Sequence, residues 1–159
     1  MPVANPYAED LGNRKPLDAL GDTAEHIRQL VASWSDATFD KSYAPGKWSA
    51  RQILVHLAQT ELALTTRARF ALAQPGYTAQ AFNQDDWMPL DDGADARTAL
   101  AAYTSLRGLN LAMWRRLSTE QLDRSFSHPE YGDLTVSWII AQMAGHDIHH
   151  LKQLQAIHT

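Results

Sequence analysis

Four stretches of this chain repeat their apolar residues at intervals of three and four, and every break between them carries Pro, Gly, Asp or Ser. Residues spaced in this way share one face of an α-helix, so each stretch must bury its stripe against a partner. Four such stripes in one chain bury each other most simply as a bundle. The first runs from Pro16, a favoured residue at a helix's opening position, through Leu20, Ala24, Ile27, Val31 and Trp34. A loop from Asp36 to Trp48 follows. Ser49 and Gln52 then form a capping box that opens a second helix reaching Gln74, where Pro75-Gly76 stops it. The third helix spans Asp95 to Leu117 and lines up Tyr103, Leu106, Asn110, Met113 and Leu117; the polar Asn110 in that stripe requires a partner. Ser118 with Gln121 caps a further short turn, and the fourth helix starts near Thr135 and continues almost to the C-terminus. No segment reads as a strand. The expectation is an all-α four-helix bundle, with a less regular helical domain of the same helix count as the alternative.

At 159 residues and 45% apolar, the chain suits a single domain, 1–159, with enough core to fold unaided. Cysteine is absent, which removes disulfides, thiolate nucleophiles and zinc fingers and narrows any metal site to His, Asp and Glu. A net charge of -4 argues against nucleic acid as a partner. No apolar run approaches the ~18 residues of a membrane span, and the first ten residues lack a signal core, so no membrane partner and a cytoplasmic location are expected. Residues 1–15 carry no readable pattern; they either pack across the bundle or hang loose. The Asp- and Gln-rich stretch between Pro75 and Gly93 is long for a connection, with Phe82 and Trp87 embedded in it. Its Asp85-Asp86-Trp87 reads either as a lid over the bundle's end or as a solvated turn anchored by Trp87.

The histidines carry the chemistry. On the fourth helix, Val136, Ile139, Met143, Leu154 and Ile157 mark the buried stripe. At 100° per residue His150 falls about 20° from Met143, His146 about 60° away and His149 about 120° away. His146 and His150 therefore face inward and His149 outward. An inward pair of His at i and i+4 offers two ligands to one metal, although core imidazoles with satisfied nitrogens fit the same spacing. His56, at the margin of the second helix's inward face, is the candidate third ligand. Three neutral imidazoles suit Zn²⁺, Ni²⁺, Fe²⁺ or Mn²⁺ and leave positions open for water or substrate. Asp147 stands about 40° from the stripe's centre, placed either to orient a ligand or to form a salt bridge. His26, His128 and His158 lie off the stripes or in loops and are expected to be solvated. No dedicated general base is evident: Glu61 projects about 140° from His56, which leaves Asp85 and Asp86 as substitutes.

Three motifs together resemble the DinB-like (DinB/YfiT) superfamily of bacterial four-helix metalloenzymes. They are Gly46-Lys47-Trp48-Ser49-Ala50-Arg51-Gln52-Ile53-Leu54-Val55-His56-Leu57, His128-Pro129-Glu130-Tyr131-Gly132-Asp133-Leu134-Thr135-Val136, and the closing His146-Asp147-Ile148-His149-His150-Leu151-Lys152-Gln153-Leu154. The resemblance implies a metal triad of His56, His146 and His150. It also implies an up-down-down-up bundle with a long crossover between helices two and three, and a homodimer. The implied activity is that of a divalent-metal enzyme acting on a small-molecule substrate, activating either a low-molecular-weight thiol, as an S-transferase does, or water, as a hydrolase does. The competing expectations are a non-enzymatic helical homodimer with a structural or regulatory metal, and a metal-free bundle with three core imidazoles.

Overall fold

The computed structural model describes residues 3–157. Four long helices dominate: α2 (Pro16–Leu30), α4 (Ala50–Ala73), α6 (Ala96–Trp114) and α8 (Val136–Gln155). Short helical turns α1 (Ala8–Leu11), α3 (Asp36–Phe39), α5 (Gln84–Trp87) with a 3-10 turn at Met88–Asp91, and α7 (Thr119–Leu122) fill the connections. Among the described residues no helix is long and apolar enough to cross a membrane.

The helix starts follow local chemistry. Ser49 Oγ accepts from the Gln52 amide at 3.3 Å while Gln52 Oε1 accepts from the Ser49 amide at 3.0 Å, and the same reciprocal pair opens α7 at Ser118 and Gln121. Asp95 and Thr135 cap α6 and α8 through their side-chain oxygens. The first helix ends at Leu30, earlier than its stripe implies, because Val31 and Trp34 reach the core from an irregular turn. The third ends at Trp114 rather than Leu117.

One expectation is overturned outright. Ser125–His128 (β1) and Gly132–Thr135 (β2) form a small antiparallel sheet in which Phe126 pairs with Leu134. Gly132, at a φ of 74°, supplies the left-handed turn between them. Strand β1 alternates exposed and buried positions, which turns Phe126 and His128 inward. His128 is therefore buried, not solvated as its loop-like setting suggested. His26 is exposed, and His158 lies outside the described residues.

The N-terminal segment packs across the bundle, with α1 against α8. Gly145 makes this approach possible, since a Cβ there would lie 2.7 Å from the Tyr7 Cβ and closer still to the Tyr7 carbonyl oxygen. Lys152 Nζ donates to Asp10 Oδ1 at 2.7 Å and fastens the same contact at its edge.

Helices α4 and α2 each pack against both α6 and α8. Two apolar clusters fill the interior. One contains Ala24 and Ile27 of α2, Ile53 and Leu57 of α4, Ala99 and Tyr103 of α6, and Leu151 and Leu154 of α8. The other contains Ala19 and Leu20 of α2, Leu64 and Ala68 of α4, Leu111 and Trp114 of α6, and Ile139 and Met143 of α8. At the level between them, buried polar residues interrupt the core: Gln59, Thr60, Glu61, Arg107, Asn110, His146, Asp147 and His150. Polar groups at that depth persist only when they are paired or serve a ligand.

Candidate metal centre

Three imidazoles converge in this layer. His56 from the second turn of α4 and His146 with His150, one turn apart on α8, are all buried. His146 Nε2 lies 2.8 Å from His56 Nε2 and 3.1 Å from His150 Nε2. His149 faces outward, with its Nδ1 3.4 Å from Asp10 Oδ2.

The far nitrogens explain the orientation of two rings. His150 Nδ1 sits 2.7 Å from Gln153 Oε1, an acceptor, so the ring proton belongs on Nδ1 and the Nε2 lone pair faces the cluster. Gln153 itself is fixed by its Nε2, which donates to Tyr43 Oη and to His149 Nε2. His146 Nδ1 lies 3.3 Å from Asp147 Oδ1, and the same logic directs its Nε2 lone pair inward. Two lone pairs 3.1 Å apart repel unless a cation lies between them. His56 Nδ1 has no partner among the described residues, so nothing there fixes the tautomer; with the proton on Nδ1, its Nε2 presents a third lone pair to the same point. A set of three neutral imidazoles converging on one point, two of them oriented by hydrogen bonds from behind, fits a divalent transition metal. Burial, together with the neighbouring imidazoles, lowers His56 to about 2 and His150 to about 3, so both stay neutral.

Asp147 does both jobs that its position on the wheel allowed. Its Oδ1 faces His146, while its Oδ2 accepts from Tyr103 Oη at 2.7 Å and from Arg107 Nη2 at 2.6 Å. Burial works against its charge, yet Arg107 and the bonds from His146 and Tyr103 outweigh it and hold the carboxyl well below the usual range. Arg107 also donates to Glu61 Oε1, through Nε at 2.9 Å and through Nη2, and to the Leu20 carbonyl at 2.9 Å. Asn110 finds the partner its stripe position demanded, donating to Glu61 Oε2 at 2.7 Å. With both oxygens engaged, Glu61 serves this network rather than acting as a base, although its burial raises its carboxyl despite Arg107. Sequence position singled out Asn110 and Asp147, but nothing local pairs them with Arg107 and Glu61, because the members come from separate helices.

Aromatic rings enclose the cluster, and sequence reasoning assigned them no place there. Trp48 lies 4.8 Å from the His56 ring and stacks on His150 at 6.4 Å; Phe82 stacks on His56 at 6.4 Å; Tyr7 meets His146 edge-on at 5.2 Å. The segment between Pro75 and Gly93 reaches the site as a fixed wall. Trp87 packs edge-on against Phe82, and Gln59 Nε2 donates to both the Trp87 carbonyl and Asp91 Oδ2 at 2.7 Å. The turn is thus anchored at Trp87, and Asp85 within it is exposed.

Two cavities meet the cluster. One of about 480 Å³ touches His56 and His146 and extends between α4, α8 and the β-hairpin. The second, about 310 Å³, touches His150 and Trp48. Tyr7, Gln84 and Asp85 border both.

Several known proteins resemble this chain in sequence and fold. A protein of Oceanobacillus iheyensis, named as a proposed metal-dependent hydrolase, is 30% identical over 130 residues, which are 81% of this chain and 75% of the relative. YfiT of Bacillus subtilis, named in the same way, is 26% identical over 88% of this chain and 80% of its own. The solved structure of YfiT, described as a four-helix bundle of unusual topology, matches with a TM-score of 0.82 at 25% identity, covering 89% of this chain and 83% of that one. A mycothiol-dependent maleylpyruvate isomerase shares the fold at a TM-score of 0.73 and 15% identity, across 95% of this chain and 64% of that protein. The sequence profile of the DinB superfamily matches residues 19–154, and the chain belongs to that superfamily.

Proposed function

We propose that this chain is a divalent-metal-dependent hydrolase of small molecules, with His56, His146 and His150 holding the ion. The observation that carries the reading is the convergence of three buried Nε2 atoms, two of them with lone pairs directed at each other. The names of the relatives point the same way. A divalent ion bound there supplies Lewis acidity toward water or a thiol. The protein's own contribution is positional. Asp147 and Gln153 fix the rings of His146 and His150, while Tyr7, Trp48 and Phe82 pack against the imidazoles. Asp85, on the border of both cavities, is the carboxylate placed to hold a proton during turnover.

One observation favours a second reading, transfer to a low-molecular-weight thiol. Two cavities that reach different histidines of the cluster leave room for two organic reactants, where hydrolysis needs one. Zn²⁺, Ni²⁺, Fe²⁺ and Mn²⁺ all suit the donor set.

We further infer a single cytoplasmic domain that works as a homodimer, which sedimentation would test. We also infer an up-down-down-up bundle with residues 74–95 as the crossover. The support for that topology is the order in which the helices meet the two apolar clusters: α4 and α6 pass from the first to the second, α2 and α8 from the second to the first.

The functional test is solvent access followed by turnover. Co²⁺-loaded protein should shift its visible spectrum on addition of azide or a small thiol, and hydrolysis of an ester and amide panel should vanish in His150→Ala. A spectrum indifferent to both additions would leave a closed structural site and refute the enzymatic reading.

A further inference from the structure

The larger cavity has an unusual inner wall. Along α4 it is lined by His56, Thr60, Leu64 and Arg67, spaced four, four and three. That spacing returns Arg67 to within about 20° of His56 on the helix, some three turns and roughly 16 Å further along its axis. The cavity therefore runs lengthwise down one helix face, and its volume of about 480 Å³ is that of a small-molecule site.

Three zones of different chemistry follow one another. The histidine cluster closes one end. In the middle, Thr60 Oγ1 and Gln142 Oε1 are both buried and both lack a hydrogen-bond partner among the described residues. Thr60 is only 2% exposed, and an unmet polar atom at that depth is costly unless a ligand satisfies it.

At the far end stands Arg67, half-buried. It donates one hydrogen bond, from Nη2 to the Gln80 carbonyl at 2.6 Å, and no carboxylate among the described residues lies within ion-pair distance. The two carboxylates of the lining, Asp85 and Glu130, are exposed. Beside Arg67 in the wall is buried His128, whose Nδ1 accepts from the Glu130 amide at 3.2 Å. The ring's proton therefore belongs on Nε2, which leaves a second donor at this end. Burial and Arg67 both disfavour the charged imidazole, in keeping with a neutral ring.

We propose that this cavity selects an elongated small molecule with a carboxylate head group, seated on Arg67 and His128. Its central polar group bonds to Thr60 Oγ1 and Gln142 Oε1, and its reacting end lies at the histidine cluster. The proposal rests on the reading of that cluster as the reaction centre, and it assigns Arg67 as the specificity-determining residue. An unpaired guanidinium recognises a carboxylate through two parallel hydrogen bonds and charge, neither of which a neutral amide can reproduce.

The test is binding rather than turnover. Its probes are 6-acetamidohexanoate, which carries a terminal carboxylate and, five methylenes away, an amide capped by a methyl, and the corresponding primary amide. Titrations are followed by tryptophan fluorescence, to which Trp138 in the cavity wall reports. Wild-type protein is expected to bind the carboxylate at least tenfold tighter than the amide. Arg67→Gln should reduce that ratio below threefold, and Arg67→Lys should retain part of it. A wild-type ratio near one, or a ratio unchanged in Arg67→Gln, would overturn the proposal. Metal content measured on the same samples, with His56→Ala included, separates the two readings. Loss of metal with discrimination kept leaves the carboxylate subsite standing alone, whereas metal retained in His56→Ala refutes the ligand set and not the subsite.

Discussion

Replacing Arg107 by methionine tests whether the polar layer is as tightly coupled as its geometry implies. The guanidinium is 2% exposed and bridges two carboxylates that are each 1% exposed, besides donating to the Leu20 carbonyl. Methionine keeps much of the volume but leaves Glu61 and Asp147 facing each other without a cation. Breaking one buried pair in this way costs about 3–5 kcal/mol, and here two carboxylates lose the same cation, while the Leu20 carbonyl keeps its bond within α2. The buried Glu61 carboxyl, already raised, can take up a proton once Arg107 is gone, which relieves part of the repulsion. The expected net loss is about 5 kcal/mol, comparable to the whole stability of a marginal domain. At about 2–4 °C per kcal/mol for a chain of this size, Tm should fall by roughly 10–20 °C. Urea unfolding at pH 7, followed by far-UV circular dichroism, measures the loss directly. Adding Glu61→Gln to Arg107→Met removes one stranded charge and should recover at least about 1 kcal/mol, a coupling expected only between contacting residues. A single-variant loss below about 1 kcal/mol, or strict additivity of the two changes, would mean that Arg107 and Glu61 are not coupled.

Other consequences follow from particular contacts. Gly145→Ala places a methyl against Tyr7, so the segment around α1 must lift; a cost of about 1–3 kcal/mol and faster amide exchange at residues 8–11 are expected, and unchanged exchange would contradict the close approach. Ser49→Ala breaks the reciprocal cap of α4 and should cost about 1 kcal/mol in urea titrations; no change in midpoint would mean that the cap carries no stability. Asp95 caps α6 through the Thr98 amide, which lowers its carboxyl from the model-peptide value of 3.8. A depressed folded value means its stabilisation is complete above the unfolded value and is lost as pH falls through the lower folded one. Asp95→Asn should therefore flatten the acid limb of the melting profile and leave its shape near neutrality unchanged.

Much of this architecture was legible because local rules and tertiary packing agree. Three- and four-residue spacing located the four helices, and Ser49 with Gln52 fixed the start of α4 to the residue. The same periodicity sorted the histidines, since a buried stripe defines an inward direction that His149 cannot share with His146 and His150. Where packing departs from helical continuation, the reading failed. Val31 and Trp34 continue the stripe of α2 but reach the core after the helix has ended. Strands of four residues are too short for alternation to stand out, so the hairpin went unseen, and with it the burial of His128. Glu61 was correctly placed away from His56, but its partners Arg107 and Asn110 come from α6, and single-chain periodicity does not pair residues across helices. Asn110 shows how far such a signal reaches: a polar residue on a buried stripe announces that a partner exists without naming it.

His56, His146 and His150 are expected to bind one divalent ion, and His149 is not. Elemental analysis of untagged wild-type protein, His56→Ala, His150→Ala and His149→Ala tests it directly, paired with melting curves with and without chelator. About one metal per chain is expected in wild type and His149→Ala, with its loss in the other two variants and a chelator-sensitive Tm only where metal is bound. Stoichiometric metal retained in both His56→Ala and His150→Ala would contradict it. So would wild-type protein that contains no metal and does not shift its melting on addition of Zn²⁺, Ni²⁺ or Mn²⁺.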